Sequence, residues 1–350
     1  MPTGHGDAEA ALCMSAAARL QYYRRVLPAY LGSGRSQLTF WHETPEINRR
    51  ANFDPQTIAN SAANRQLGPY YMSFREKADY AGAHDANGIP MLDYRGAIGL
   101  QYNPIAIAQW GLGNYNLFSE TSNGERLQST LKAADWLTAN LEQNSHGLWV
   151  WNHHFDWEYR ETLRAPWYSG LAQGQGVSLL LRAHAQTGDG KYRQAAERAF
   201  VSLTKPIAQG GVLFEDDEKN LWIEEYLVHP PTHILNGFIW ALWGVFDFYA
   251  ASADASAKQI FDRCVQTLLR NLARFDTGYW SLYEQSGTQL KMLASPFYHR
   301  LHIVQLRVMA RLTGERQFAE VGDRWEGYAQ GRANRSRALV EKSIFKLLHY

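Results

Sequence analysis

Apolar positions recur at helical spacing in blocks that come in pairs. The first block of each pair, at 104–118, 167–186, 232–251 and 299–312, is the more apolar. The second, at 124–141, 191–203, 255–274 and 315–329, is amphipathic, with charge along one side. A helix apolar all round must be buried, whereas a one-sided helix can cover it and face water. Thr187-Gly188-Asp189-Gly190 and Thr313-Gly314-Glu315 read as turns between such partners. Gln109, Gln173, Asn236 and Gln305 sit inside the four apolar blocks at spacings of about 64, 63 and 69 residues, the mark of a repeated unit. The pattern predicts a mainly α fold, an incomplete α/α barrel or toroid of about four helical hairpins.

After each of the first three amphipathic blocks comes a short β-prone segment rich in glycine and aromatics: Gly147-Leu148-Trp149-Val150-Trp151, Gly210-Gly211-Val212-Leu213-Phe214 and Gly278-Tyr279-Trp280-Ser281-Leu282-Tyr283. These are expected to form strand pairs or extended loops at one end of the barrel, rimming its cavity. Residues 1–95 lack the paired blocks. They predict a helix over 8–27, polar loops, and an antiparallel hairpin in which 70–74 and 89–94 flank Asp85-Ala86-Asn87-Gly88. The division is therefore 1–95 for an N-terminal helix, loops and hairpin, and 96–350 for the barrel.

The chemistry sits where polar residues precede the buried helices. Glu224-Glu225-Tyr226 comes just before Pro230-Pro231 and the helix containing Asn236, and Tyr298-His299-Arg300-Leu301-His302 opens the last apolar block. Two helix mouths sharing one pocket follow from this placement. With 350 residues there is ample chain for a large core. A net charge of +1 gives no field suited to nucleic acid, so a charged ligand must be held by local groups. Aromatics form 13% of the chain, with 12 Trp and 19 Tyr, which suits flat walls against sugar rings as well as a Trp-rich core. Cys13 and Cys264 form no CxxC pair, and 1–22 lacks the pattern of a secretory leader, so a reducing, cytoplasmic setting is expected. No membrane span is expected, since Asn236, Gly237, Gly244 and Asp247 interrupt the strongest apolar run. His299 and His302 lie three apart without a completing ligand, and no phosphate cradle or nucleotide fingerprint is present, so neither metal nor cofactor is expected.

Glu225-Tyr226 with Leu235-Asn236-Gly237-Phe238, and Tyr298-His299 with His302-Ile303 and Gln305-Leu306, resemble the D-glucuronyl C5-epimerases. So do Trp167-Tyr168-Ser169-Gly170-Leu171-Ala172-Gln173-Gly174-Gln175-Gly176, Asn103-Pro104-Ile105, Ile107-Ala108-Gln109 and Trp110-Gly111-Leu112. The similarity runs over about 85–315 and implies an α/α barrel with β elements across its mouth. It also implies inversion of C5 in the glucuronate units of a heparosan- or heparan-type polysaccharide, without a cofactor. By motif position it gives catalytic roles to Glu225, Tyr226, Tyr283 and Tyr298, and places Gln109, Trp167, Tyr168, Gln173, Gln175, Asn236, His299, Arg300 and His302 around the substrate. Self-association as a homodimer stays open.

C5 inversion needs proton-transfer groups on both faces of a ring, and tyrosine can serve as either acid or base. Glu225 could act ionised, as base or relay, or protonated, as a donor to the substrate. One departure stands out: the family pattern has Arg three residues after the Tyr283 position, and this chain has Ser286. Arg300 and His299, then Lys291 or Arg164, are the candidates to hold the uronate carboxylate instead. Three other activities fit the same residues. A lyase would remove the same C5 proton and expel the C4 oxygen, a hydrolase would pair Glu225 with Asp156, Glu158 or Glu284, and a glycan-binding module would need the aromatic walls alone.

Overall fold

The computed structural model describes residues 67–349, apart from 95 and 289. The helix expected over 8–27, like Cys13, lies outside the described residues. In chain order the elements begin with α1 (Arg75–Ala78), β1 (Leu92–Asp93), β2 (Leu100–Gln101), α2 (Pro104–Thr121) and α3 (Gly124–Ala139). There follow β3 (Glu142–Gln143), β4 (Trp149–Val150), β5 (Asn152–His153), β6 (Trp157–Glu158), β7 (Thr162–Leu163) and β8 (Trp167–Tyr168). The remainder is α4 (Gly170–Thr187), α5 (Gly190–Phe200), β9 (Leu213–Glu215), β10 (Leu221–Ile223), α6 (Leu235–Ser252), α7 (Ala255–Asn271), α8 (Pro296–Thr313), α9 (Arg316–Gln330) and α10 (Arg332–His349).

Four hairpins, α2–α3, α4–α5, α6–α7 and α8–α9, stand side by side. Their first members pack in chain order, α2 on α4, α4 on α6 and α6 on α8, and make the inner layer of the α/α barrel. In α6 every residue from Leu235 to Phe248 is buried, while α7 buries one stripe, as their sequences require. The inner helices run the same way, so their N-terminal ends open together at one end. Three are set by the same local chemistry. Asn103, Ser169 and Ser295 accept hydrogen bonds from first-turn N–H groups, and Pro104 and Pro296 occupy the first helical turn where no N–H is needed. Each cap is worth about 1 kcal/mol.

Between α4 and α6 the backbones touch. A Cβ on Gly174 would lie 2.5 Å from the Ala241 Cα, and one on Gly244 would lie 2.3 Å from the Gly174 carbonyl oxygen. Only hydrogen fits at either position.

Several boundaries differ from expectation. Trp167-Tyr168 is not the start of a helix but a strand paired with Asn152-His153, and the helix begins after Ser169. The third inner helix starts at Leu235 and not at Thr232. Two of the three Gly-aromatic segments form strand pairs, β3–β4 and β9–β10, whereas the third makes isolated bridges at Asp276–Ser281 and Leu282–Leu293. The N-terminal hairpin is also rearranged. A bridge joins His84 and Pro90 around the Asp85–Gly88 turn, and β1 pairs with β2. Residues 70–74 pair with neither. Instead Asn116 clamps them, accepting from the Tyr70 N–H at 2.6 Å and donating to the Met72 carbonyl at 2.7 Å. Tyr71 then reaches Asp247 in the last turns of α6, so this segment closes the end opposite the helix mouths. Tyr94 packs at the other end, 4.6 Å from Phe155 and 5.6 Å from Trp157 between ring centroids. Cys264 is buried and free. Among the described residues no helix is long and apolar enough to cross a membrane.

Candidate active site

The β10–α6 connection delivers two adjacent glutamates with different fates. Glu224 is a structural clip: its carboxylate accepts from His233 Nδ1 at 2.5 Å and from the His233 N–H at 3.1 Å, and its carbonyl accepts from the Gly170 N–H at 3.0 Å. Glu225 is equally buried, yet its Oε2 has no protein partner. Burial pushes the Glu225 carboxyl up to about 8, a hydrogen bond with the Tyr226 phenol opposes the rise, and Glu284 and Glu224 reinforce it. Gly237 makes room for this group, since a Cβ there would fall 2.0 Å from the Glu225 Oε2.

Around this carboxyl stands a wall of phenols. Tyr283 and Tyr298 meet edge to face at 4.8 Å, and Tyr226 packs on Tyr159 at 4.6 Å and on Trp167 at 5.8 Å. Burial and the nearby Glu225 raise the Tyr283 phenol well above its ordinary range, so it stays protonated. Ile234, Met292, Ala294 and Phe345 of α10 back Tyr283, with Tyr159, Tyr226 and Tyr298 packed against them. Lys342, also on α10, donates to the Leu293 carbonyl and places its ammonium 5.7 Å from the Tyr283 ring centre. On the other side His153 stacks on Trp167 at 3.9 Å, nearly parallel.

The four residues given catalytic roles by resemblance are thus together, supplied by the β10–α6 segment, the 276–295 loop and the first turns of α8. Those placed around the substrate divide. Asn236 is buried with no partner for either amide atom, and Gln175 Nε2, Gln305 Oε1 and His302 Nε2 are likewise unpartnered. Gln109 donates to Gln175 Oε1 at 2.9 Å. Gln173 is a structural clamp: its amide accepts from the Trp151 N–H at 3.3 Å and donates to the Trp151 carbonyl at 3.4 Å. Tyr168 donates to the Gly210 carbonyl at 2.8 Å.

The residues expected to hold a carboxylate are engaged or exposed. His299 stacks on Trp280 at 3.8 Å and uses both ring nitrogens, on Ser281 at 2.7 Å and on the Trp325 carbonyl at 3.0 Å; burial brings it down to about 4. Arg300 and Lys291 are exposed, and Arg164, 75% exposed, pairs with Asp156 at 2.5 Å. A cation the sequence did not suggest stands beside the phenols. Arg160, between β6 and β7, holds Glu284 Oε1 through Nη2 at 2.6 Å and Nε at 3.1 Å, and Tyr159 donates to the other oxygen. The signal for it was thin: a Trp-Glu-Tyr-Arg run in a loop with no periodicity. Among the described residues no group of His, Cys, Asp and Glu is placed to hold a metal ion.

The sequence model of the D-glucuronyl C5-epimerase C-terminus matches residues 143–327, which include Glu225, Tyr226, Tyr283 and Tyr298. A D-glucuronyl C5-epimerase of Caenorhabditis elegans is 31% identical over 216 residues, covering 57% of this chain and 35% of that one. An uncharacterized protein of Methanocaldococcus jannaschii is 27% identical over 198 residues, covering 56% of this chain and 63% of that one. This chain thus matches less than two thirds of the length of either relative. Among solved structures, an unsaturated glucuronyl hydrolase from Bacillus sp. GL1 superposes with a TM-score of 0.46 at 14% identity, over 65% of this chain and 62% of that one. With more than half of its length matched by one family model, the chain belongs to the D-glucuronyl C5-epimerase C-terminal family.

Proposed function

We propose that this chain is a uronate C5-epimerase, converting D-glucuronate to L-iduronate units within a polysaccharide. The observation behind this reading is Glu225: a buried carboxyl near pH 8 in its titration, bonded to one phenol and beside two others. A general acid or base works best when its pKa lies near the working pH. Glu225 can therefore both take and return a proton, which an ordinary glutamate does poorly.

The step begins with rupture of the C5–H bond. Its proton passes to the Glu225–Tyr226 unit and its electron pair moves onto the adjacent carboxylate as an enediolate. Tyr298, approaching from the α8 mouth, gives a proton to the opposite face, and the new C5–H bond fixes the inverted centre. Tyr283 remains a neutral donor at the edge of the site. The unpartnered amide of Asn236 is suited to sugar hydroxyls, and half-buried Trp167 and Tyr226 to the faces of sugar rings.

The test is incubation of a desulfated glucuronate-containing chain in deuterated water, reading C5 deuterium and product configuration together. Epimerisation gives deuterium at C5 and iduronate. A product absorbing in the ultraviolet as an unsaturated uronate would assign a lyase and overturn the reading. Tyr298→Phe is expected to stop inversion while C5 exchange from the Glu225 face survives, with the fold intact because the ring is kept. Full inversion by Tyr298→Phe would remove that tyrosine from the reaction.

A further inference from the structure

Taking a proton from the carbon next to a carboxylate pushes further negative charge onto that carboxylate. Preorganised donors or a cation where it sits lower the barrier more than most other devices. Glu225 offers neither, and the cations expected from the sequence are exposed or engaged. Lys342 lies beneath Tyr283 and is bound to the Leu293 carbonyl.

Arg160 has the right placement. It stands on the turn between β6 and β7, with its side chain 22% exposed, and the Glu284 side chain that holds it is fully buried. Its neighbour Tyr159 packs on Tyr226, which bonds Glu225. Its Nη1 also reaches the Ser286 carbonyl at 3.4 Å, tying the turn to the loop that carries Tyr283. Three N–H groups are engaged in these contacts, those of Nε, Nη2 and Nη1. A guanidinium has five, so two remain for a planar anion. Glu284 orients the fork and balances its charge while the site is empty.

We propose that Arg160 binds the uronate carboxylate and sets the preference for acidic over neutral sugar chains, with Glu284 as the residue that positions it. The proposal deepens the epimerase reading and rests on it for the identity of the sugar acid, though its test is one of binding. Binding of a glucuronate-containing chain and of the same chain with its carboxyl groups reduced to alcohols is measured calorimetrically. The proteins are the wild type, Arg160→Gln, Arg160→Lys, and Arg160→Gln combined with Glu284→Gln. The double variant replaces the ion pair by two amides, so no buried carboxylate is left bare to disturb folding.

The wild type should prefer the acidic chain. Arg160→Gln and the double variant should lose about ten- to a hundredfold of that affinity and bind the reduced chain as before. Arg160→Lys should recover part, because it restores charge without the planar fork. Equal losses for both chains, or an acidic-chain affinity unchanged in all three variants, would overturn the proposal. The two readings fail separately. Arg160-dependent preference in a protein that never exchanges C5 would sink the epimerase and leave the clamp standing, whereas C5 exchange with preference retained in every Arg160 variant would do the reverse.

Discussion

Each end of the inner-helix layer buries a carboxylate among tyrosines, but the two are wired in opposite ways. At the closed end Asp247 accepts from Arg182 Nη1 at 2.6 Å and Nη2 at 3.2 Å, and from the Tyr71 phenol at 2.6 Å. Arg182 also donates to the carbonyls of Gly68 at 3.0 Å and Ser178 at 3.0 Å. Every charge there is cancelled on the spot, and the cluster pins residues 67–74 to α4 and α6. At the open end Glu225 has no guanidinium. The arginine nearby is given to Glu284, and Glu225 is left with a phenol and a proton. Identical ingredients thus make a rivet at one end and a titrating centre at the other, and the assignment of the cation decides which.

The largest effect is expected where that difference is erased. Glu225→Gln should lower turnover by about 10²- to 10⁴-fold while leaving thermal stability unchanged or higher, because an amide needs no proton to be neutral. If Glu225→Gln unfolded the chain, its carboxyl would be another rivet. Arg182→Met should do the reverse. Stranding buried Asp247 should cost about 3–5 kcal/mol in urea unfolding, with near-normal turnover in the fraction that stays folded. Loss of turnover without loss of stability would mean that the closed end also serves chemistry.

The smaller, sharper test is pH. Glu225 rises from 4.5 to about 8 on folding, so between those values the folded protein holds a proton that the unfolded chain has released. This group's contribution to stability is complete below about 4.5 and is lost as pH rises toward 8, by at most about 1.4 kcal/mol per pH unit. Subtracting the Glu225→Gln curve from the wild-type curve should reveal that decline. A flat difference from pH 5 to 8 would mean Glu225 is already ionised.

The rivet and the centre were not equally legible in sequence. Hairpin spacing, the start at Pro104 and the Gly188 and Gly314 stops come from local patterns, because helical periodicity and its stops are written within a few residues, whereas the last inner helix starts at Pro296, ahead of the expected 299. Glu225, Tyr226, Tyr283 and Tyr298, which the structure brings together, could be singled out because they lie in distinctive motifs. Trp167-Tyr168 was assigned to a helix because a two-residue strand is too short to show alternation. The helix at 332–349 was passed over, since it buries Lys342 where the periodic pattern calls for an apolar residue. Arg160 and Glu284 stand 124 positions apart, and nothing in either neighbourhood refers to the other. Ser286 left the place of the family arginine open, and the Arg160–Glu284 pair is visible only in three dimensions.

The bare contact between Gly174 and Gly244 gives the cleft a hard dimension. α4 begins directly after the Trp167-Tyr168 strand, and α6 follows the Glu225-Tyr226 segment, so the interval between aromatic wall and carboxyl is gauged by two peptide backbones in contact. Helices separated by leucines or valines can slide or breathe as rotamers change, whereas touching backbones have nothing to compress. In the proposed epimerase, bulkier or branched sugar units would meet the short-stranded turn bearing Tyr159 and Arg160. The width between wall and carboxyl is a constant of the scaffold, and variety in what enters is left to the rim.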